Sequence, residues 1–299
     1  MVPERDDPTR YSIDLADSTM NFVGAELGDR RHRRLLSEVA DARISGDAAV
    51  AEVAALHGLS IDRSRGTAVA GFDDYLLPGT FTLRSRITDA GHPEGITDAE
   101  LLRTVEVQLS HLRAAEIGRV PVPGRLDYDH MKAIHRHLFQ DIYHWAGVER
   151  VGPETAMIRF APDAIDYEPF DPAAPMVKYT YLPGPEIAEA ASIQYSQLEL
   201  LLHRRGLTRE AYLDLVPEFS SELIAIHSFR DGNMRAQWVF AIYYNDAIGF
   251  PEDLGLLAQD TSINRRISHS LHRYQATGDH SGMLPHFLDF TAAERTPRV

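Results

Sequence analysis

The sequence contains no cysteine, which excludes both disulfide bridges and thiolate metal sites. Aspartate and glutamate outnumber lysine and arginine by 44 to 30, and only Lys132 and Lys178 are lysines. The resulting net charge of −14 argues against a nucleic-acid binder, because phosphate backbones attract a basic surface. No apolar run reaches the roughly 18 residues that a membrane helix requires. The first residues, MVPERDDPTRY, lack the apolar core of a signal peptide, so we expect a cytoplasmic protein without a membrane partner.

The sequence does contain enough apolar residues for a core, since 44% of its 299 residues are hydrophobic. Helical periodicity dominates. It is clearest in residues 97–117, where Thr97 and Glu100 form a predicted capping box before the apolar repeat Leu101, Val105, Leu109 and Leu112. Residues 126–147 repeat in the same way up to a stop at Gly147. The pattern predicts an all-α fold.

Other segments complete this outline. Residues 29–57 predict two helices that are separated at Ser45-Gly46-Asp47. The weakly periodic residues 60–74 predict a linker, which divides the chain into an N-terminal helical module, 1–70, and a larger domain, 71–299. Further helices are predicted at 185–204, 208–226, about 234–245, 261–277 and 281–294.

Residues 148–183 are rich in proline and lack a helical period. Within them, Met157 to Phe160 predict a short strand, so this segment reads as a loop with a small β-hairpin. A loop of this length in a compact domain tends to be functional.

The segment IAIHSFRDGNMRAQWVF, residues 224–240, places several reactive side chains in one short turn between two predicted helices. The first N–H groups of the second helix have no partner within it, and with the helix dipole they favour an anion. Gly232 lets the backbone approach a ligand closely. His227 is the only base in the turn whose ordinary pKa is near neutrality, so it can accept a proton from a hydroxyl.

The neighbouring polar residues suit a phosphate ligand. Asn233 can donate its amide to a phosphate oxygen, and Arg235 adds a planar cation. Asp231 supplies a hard oxygen ligand of the kind that Mg²⁺ takes beside nucleotide phosphates. The segment therefore predicts a polyphosphate site with a metal and a base, as in phosphoryl transfer. The alternative is that Asp-Gly-Asn is only turn chemistry, with His227 in the core and Arg235 at the surface.

The nine residues HSFRDGNMR, from His227 to Arg235, resemble the Fic-domain signature. That signature is His, any residue, Phe, any residue, Asp or Glu, Gly, Asn, usually Gly, and Arg, followed three positions later by a second Arg. The similarity continues in YLLPGT at 75–80, LDYDHMKAIHRHLFQDIYHWAG at 126–147, IRFAP at 158–162 and YQATGDHSGMLPHFL near the C-terminus. It covers roughly residues 75–290, in the order that the family has them.

The resemblance implies a helical bundle with one β-hairpin flap, which transfers AMP from Mg²⁺·ATP to a Ser, Thr or Tyr hydroxyl of a target protein. It implies that His227 deprotonates the hydroxyl, that Asp231 holds Mg²⁺ and that Phe229 anchors the loop in the core. The implied anion hole consists of Gly232, Asn233 and the backbone of Met234 and Arg235. The implied target-docking flap, which would act by β-augmentation, consists of Ile158, Arg159 and Phe160.

Two positions depart from the signature. Met234 stands where most members have the second glycine, and Trp238 stands where they have the final arginine, which holds the terminal phosphate of ATP. Trp238 is expected either to pack in the core or to stack on a base, and packing is the preferred interpretation. The departures leave two alternatives open: a donor other than ATP, such as another nucleoside triphosphate or CDP-choline, and a degenerate nucleotide-binding pseudoenzyme.

The N-terminal segment carries a second resemblance. Residues 40–59, ADARISGDAAVAEVAALHGL, are similar to the tail of the small antitoxins that pair with Fic toxins of this type. In these antitoxins an inhibitory helix carries Ser or Thr, three residues, Glu, and then Gly or Asn. The nearest candidate is Glu26, which has neither the hydroxyl residue nor the glycine beside it. A fused antitoxin-like module and a merely stabilising helical cap are both open, as are a separate antitoxin partner and delivery into another cell as an effector.

Fourteen histidines raise a metal hydrolase as a rival interpretation. His135 and His137 are two residues apart and diverge on a helix. His269 and His272 share a face, but no acidic ligand stands at zinc-site spacing beside them. We therefore expect both pairs to be solvated.

Overall fold

The computed structural model describes residues 7–25, 29–66 and 68–290. Within these ranges the chain forms eleven α-helices and four β-strands. The helices are α1 (Pro8–Asn21), α2 (Arg30–Ala40), α3 (Gly46–Leu56), α4 (Ala99–Arg119), α5 (Tyr128–Phe139), α6 (Ile187–Leu202), α7 (Arg209–Ile226), α8 (Asn233–Ile248), α9 (Leu254–Leu257), α10 (Ile263–Thr277) and α11 (Leu284–Phe290). The strands are β1 (Ser60–Ile61), β2 (Ile87–Thr88), β3 (Met157–Pro162) and β4 (Met176–Tyr181). The predicted helical fold with one hairpin is confirmed.

Helix α4 is the centre of the packing, with α1, α2, α3 and α5 against it. Its buried residues include Leu102, Val105, Leu109, Leu112 and Ile117. The helix begins after Asp98, whose carboxylate accepts the N–H groups of Glu100 and Leu101 at 2.9 and 3.0 Å. The predicted capping box was therefore wrong, because the N-cap is Asp98 and not Thr97.

One hydrophobic core extends across the predicted boundary at residue 70. Leu15, Leu36 and Val50 of the first three helices belong to the same buried cluster as Leu109 of α4 and Phe240 of α8. Strand β1 also pairs with β2 across this boundary, with Ser60 opposite Thr88. The division into 1–70 and 71–299 stays a prediction, and the packing across it is continuous.

A buried polar chain also joins α1 and α2 to α4. His111 Nε2 lies 3.0 Å from an Asp17 carboxylate oxygen, and His111 Nδ1 lies 2.9 Å from His32 Nε2. Burial lowers the pKa of His32 to about 3 and also lowers that of His111, so both rings are neutral near pH 7. Because the Asp17 carboxylate can only accept, His111 donates from Nε2 and accepts at Nδ1 from His32. Arg33 completes the chain by pairing with the same carboxylate.

The predicted hairpin is formed by β3 and β4, which pair antiparallel with Phe160 opposite Lys178. Alternation along the strands gives the hairpin two unlike faces. The inner face carries the buried Ala161, Tyr179 and Tyr181 and packs on α7 and α10. On the outer face Ile158 and Phe160 are 54% and 64% exposed. The outer face thus exposes two apolar side chains on the opposite side from the helical core.

Two sequence predictions about helix α5 and the histidines were wrong. Helix α5 ends at Phe139 and not at Gly147, because the Phe139 carbonyl accepts the N–H groups of Ile142 and Tyr143 at 3.0 and 2.9 Å and closes a turn there. The histidine pairs are not solvated as pairs, since His135 and His272 are buried. Their partners in sequence are also bound, His137 to Glu116 at 3.0 Å and His269 to the Tyr167 carbonyl at 2.8 Å.

Among the described helices, none combines the length and apolarity needed to cross a membrane.

Candidate active site

Helix α7 is capped by the next residue, His227, whose backbone adopts the left-handed conformation with φ 50° and ψ 60°. A non-glycine residue needs support in this conformation. Arg150 supplies it, because its Nε donates to the His227 carbonyl at 2.8 Å and its main-chain N–H donates to the Ser228 carbonyl at 2.9 Å. The other guanidinium nitrogens of Arg150 donate to the carbonyls of Gly152 and Leu182. The turn after α7 is thereby fixed to the end of the hairpin.

The middle of the turn is anchored by Phe229, which is completely buried, as predicted. Its ring stacks on His135 of α5 with centroids 3.8 Å apart. His135 Nδ1 accepts the N–H of Gly147 at 2.8 Å, so its proton is on Nε2, which donates to the Asp231 carbonyl at 2.9 Å. The buried histidine therefore holds the backbone of the turn and is no metal ligand.

Asn233 closes the turn on itself. Its side-chain oxygen accepts the Phe229 N–H and its amide donates to the Phe229 carbonyl, both at 2.8 Å. One of the two amide N–H groups is thus used within the turn, and the prediction that this amide donates to a phosphate oxygen stays a prediction. The residue is buried, and its two hydrogen bonds hold the shape of the loop.

Helix α8 begins at this turn without a side-chain cap, after Gly232 with φ 79°. Ala236 is the first residue to donate its N–H to the Gly232 carbonyl, at 3.2 Å. The three preceding N–H groups, of Asn233, Met234 and Arg235, have no partner within the helix. A Cβ at Gly232 would lie 2.4 Å from the Phe139 ring, so only glycine fits. The uncapped N-terminus can accept an anion at its backbone.

Asp231 lies at the mouth of this turn, with 45% of its side chain exposed. Its Oδ1 accepts the Gly232 N–H at 2.6 Å, which leaves Oδ2 free to bind a ligand. No group of three or more His, Asp or Glu side chains within the described ranges could hold a metal alone. A single carboxylate fits Mg²⁺ that takes its other ligands from phosphates and water.

The Arg235 side chain does not point towards the anion site, which corrects the prediction that it binds phosphate. It is buried, ion-paired with Glu106 and hydrogen-bonded to Ser110 of α4 at 2.9 Å. Its guanidinium also lies over the Phe139 ring, 4.6 Å from the centroid. Only the backbone N–H of Arg235 remains available for the predicted anion hole.

The two departures from the signature have distinct surroundings. Trp238 is buried, stacks on Phe22 with centroids 4.5 Å apart, and donates from Nε1 to the Ser18 hydroxyl at 3.1 Å. The prediction that it packs in the core is confirmed. Met234 packs against the edge of the core and lines a cavity of about 100 Å³ between α8, α10 and the hairpin. Glu26, the candidate inhibitory residue, lies outside the described residues.

His227 is a neutral base in this setting. Desolvation and the positive charges of Arg150, Arg159 and Arg230 lower the pKa of His227 to about 3, and the Ile224 carbonyl acts in the opposite direction. The imidazole stacks on Tyr181 of β4, with centroids 3.9 Å apart and planes 18° apart. The ring is thus deprotonated and fixed in orientation. The three arginines make this region locally positive in a chain whose net charge is −14.

The sequence predictions missed three residues of the site: Arg150, Tyr181 and Glu106. Glu106 gave a detectable signal, because a carboxylate next to the apolar stripe of α4 requires a buried partner. Arg150 and Tyr181 gave none, since both lie in the non-helical segment 148–183 and reach the site only through the fold.

A model of the Fic/DOC family matches residues 125–244. The chain is 32% identical over 143 residues to the protein adenylyltransferase VbhT of Bartonella schoenbuchensis, a match that covers 47% of this chain and 25% of VbhT. It is 31% identical over 183 residues to the probable protein adenylyltransferase y4lH of Sinorhizobium fredii, covering 60% of this chain and 79% of that protein. The chain therefore spans about a quarter of VbhT and most of y4lH.

Solved structures give the same answer for the fold. The N-terminal Fic domain of an effector protein from Bartonella sp. AR 15-3 aligns with a TM-score of 0.57 at 21% identity, over 76% of this chain and 95% of that one. The BepC protein of Bartonella tribocorum, solved with bound AMPPNP, aligns with the same TM-score and identity over 76% of this chain and all of the other.

Proposed function

The chain belongs to the Fic/DOC family, and from this premise we propose that it transfers AMP from Mg²⁺·ATP to a Ser, Thr or Tyr hydroxyl of a target protein. The observation that carries the proposal is the uncapped N-terminus of α8 directly beside a neutral histidine. A phosphate bound to these N–H groups would share one short turn with the only base that the turn provides. Adenylyltransferase names among the relatives support the choice of the group transferred.

His227 takes the proton of the target hydroxyl, and the hydroxyl oxygen forms a bond to the α-phosphorus of ATP. The bond from that phosphorus to the bridging oxygen of the β-phosphate breaks, and pyrophosphate leaves. The proton moves to the imidazole, whose orientation the stacked Tyr181 ring holds, and passes from there to solvent. The atoms balance as ATP and protein hydroxyl giving adenylylated protein, pyrophosphate and a proton.

The backbone N–H groups at Met234 and Arg235 stabilise the charge on the phosphate, because they are oriented before the substrate arrives. Asp231 would hold Mg²⁺ through its free oxygen, and the ion would supply charge neutralisation at the phosphates. The negative charge of a bound nucleotide also offsets the arginines around His227. It therefore raises the pKa of His227 from about 3 towards the range of an effective base.

The hairpin would position the target. Its outer face exposes Ile158 and Phe160, and the backbone of a two-stranded sheet has free edges that can pair with an extended segment. This arrangement supports docking of a target strand beside His227, through main-chain hydrogen bonds and apolar contacts.

Trp238 favours a second candidate, a donor other than ATP. The family has a phosphate-binding arginine at this position, whereas here the indole is buried against Phe22 and offers no cation. A donor with a diphosphate link, such as CDP-choline, has no terminal phosphate that needs this arginine. Another nucleoside triphosphate is the other alternative donor, and it carries a terminal phosphate as ATP does.

Self-modification measured by intact mass tests the proposal without a known target. The protein is incubated with Mg²⁺ and, separately, ATP, GTP, CTP, UTP or CDP-choline. We expect the mass of one nucleotidyl group to appear with ATP, and His227→Ala to slow this gain at least about a hundredfold, because the base is lost. His203→Ala, at an exposed histidine that follows α6, is the matched control.

The donor that gives the mass gain decides between the two candidates. A gain that persists in His227→Ala contradicts the assignment of the base. No gain with any donor, together with no nucleotide binding in a titration, contradicts transfer altogether and favours a degenerate protein whose site no longer accepts a nucleotide.

A further inference from the structure

The cations near the anion site are mostly committed to other partners. The Arg235 guanidinium is bound to Glu106 and Ser110, and the Arg150 guanidinium donates to three backbone carbonyls. Arg230 lies over the Phe72 ring, 4.8 Å from its centroid. Position 238 holds no cation. A polyphosphate donor, which carries several negative charges, therefore lacks an obvious side-chain partner on α8.

Arg159 of β3 differs from these arginines. Within the described ranges it makes no ion pair, hydrogen bond or ring contact, and the residue is solvent-exposed. Alternation along β3 places it on the inner face with Met157 and Ala161, away from the outward Ile158 and Phe160. It lines the cavity of about 100 Å³ that Met234 and Tyr181 also line. Its positive charge helps to lower the pKa of both His227 and His272.

The residues that line this cavity indicate which part of a ligand it can hold. One wall is Met234, in the first turn of α8, and another is Tyr181, which stacks on His227. A phosphate chain that extends from the α8 N–H groups past the Met234 side chain would enter the space that Arg159 borders. The histidine that lines the cavity, His272, is neutral near pH 7, because burial and the charges of Arg159 and His269 lower its pKa to about 4.

From this geometry we propose that Arg159 binds the phosphates of the donor beyond the first, so that the hairpin supplies the cation that α8 lacks. The inference rests on the proposed function and gives Arg159 a role different from target docking. It also defines the donor class as a nucleotide with two or more phosphates. A planar guanidinium forms charge-assisted hydrogen bonds to phosphate oxygens, which are among the strongest polar contacts in proteins.

Nucleotide titrations of the full chain test the proposal, with Mg²⁺ and ATP, ADP or AMP as probes. For Arg159→Gln we expect the affinity for ATP and ADP to fall about tenfold or more, and the affinity for AMP to change less than about twofold. Arg159→Lys keeps the charge and should recover part of the loss. The rate of self-modification should fall in parallel when the ATP concentration is limiting.

Lys178→Gln is the matched control. Lys178 is opposite Phe160 in the same hairpin, so it lies on the outer face, and its replacement removes the same charge. We expect its affinity for all three nucleotides to stay within about twofold of the wild type. Comparable losses in both variants would show a general charge effect and overturn the proposal.

Two other results would also overturn it. Unchanged ATP affinity in Arg159→Gln excludes a phosphate contact, and equal losses for AMP and ATP place Arg159 at the nucleoside or first phosphate. If the wild type binds ATP and transfers AMP while Arg159→Gln behaves identically, only the role of Arg159 is wrong. A wild type that binds none of the nucleotides contradicts the proposed function itself.

Discussion

At the scale of single residues, Trp238 joins two helices that are far apart in sequence. It packs on Phe22, which follows α1, and donates a hydrogen bond to Ser18 within α1, 220 positions away. It also lines an apolar cavity of about 90 Å³ in the bundle. A void left by truncation of Trp238 would therefore adjoin a cavity that is already present. The residue that departs most from the family signature thus has a structural task of its own.

Trp238→Ala should lower the free energy of unfolding by about 3–5 kcal/mol, as expected when a large buried aromatic is truncated without collapse of the site. Urea denaturation followed by circular dichroism measures the change. Ser18→Ala removes only the hydroxyl partner and should cost about 1–2 kcal/mol. A loss below about 1 kcal/mol for Trp238→Ala would show that the contact with Phe22 contributes little.

The sequence predicted the role of an individual residue only where that role depends on its neighbours in the chain. His227, Asp231 and Gly232 meet in one turn because the connection between the two helices around them is short. The roles of Asn233 and Arg235 could not be read this way, since polar side chains equally suit a phosphate or a protein partner. Arg235 pairs with Glu106, which is 129 positions away in the sequence, and that ion pair exists only after α4 and α8 pack together.

At the scale of elements, the three N-terminal helices form one side of the core around α4. Periodicity predicted α2, α3 and α4 well, because their apolar residues recur at helical spacing. It failed at the end of α5, where buried aromatic residues such as Tyr143 and Trp145 continue an apolar pattern through irregular turns. An apolar pattern reports burial, and only hydrogen bonding distinguishes a helix from packed turns.

Deletion of residues 1–60 should abolish cooperative folding. It exposes the face of α4 that carries Leu109 and Leu112, and it leaves His111 without Asp17 and His32. Thermal unfolding followed in the near-ultraviolet should show no sharp transition for the truncated chain. A truncated protein that melts cooperatively would contradict this expectation, and its self-modification rate would then test whether the N-terminal helices inhibit.

At the scale of the whole molecule, one buried carboxyl gives stability a distinct pH dependence. Burial in the bundle, reinforced by nearby Asp246 and opposed by a hydrogen bond from Asn245, raises the pKa of Glu252 from 4.5 to about 8. The folded protein therefore keeps a proton that the unfolded chain loses. The stability contributed by the protonated form is complete below pH 4.5 and is lost as the pH rises to about 8.

Glu252→Gln should remove this dependence, because the amide stays neutral and can still accept from Asn245. Relative to the wild type, the variant should gain more than about 1 kcal/mol of unfolding free energy between pH 5 and pH 8. Urea titrations at both values measure the gain. Glu199→Gln, at an exposed carboxylate of α6, is the control and should show no such change. Parallel pH profiles of wild type and Glu252→Gln would contradict the buried ionisation.

The turn from His227 to Asn233 has a consequence for the time course of binding. Its hydrogen bonds to Phe229, His135 and Arg150 are complete without any ligand. The conformational entropy of ordering the turn is therefore lost during folding and not during association. A nucleotide meets a preorganised receptor, so we expect its association to occur in a single kinetic phase whose rate is linear in concentration. Selection among donors is then exercised mainly through residence time.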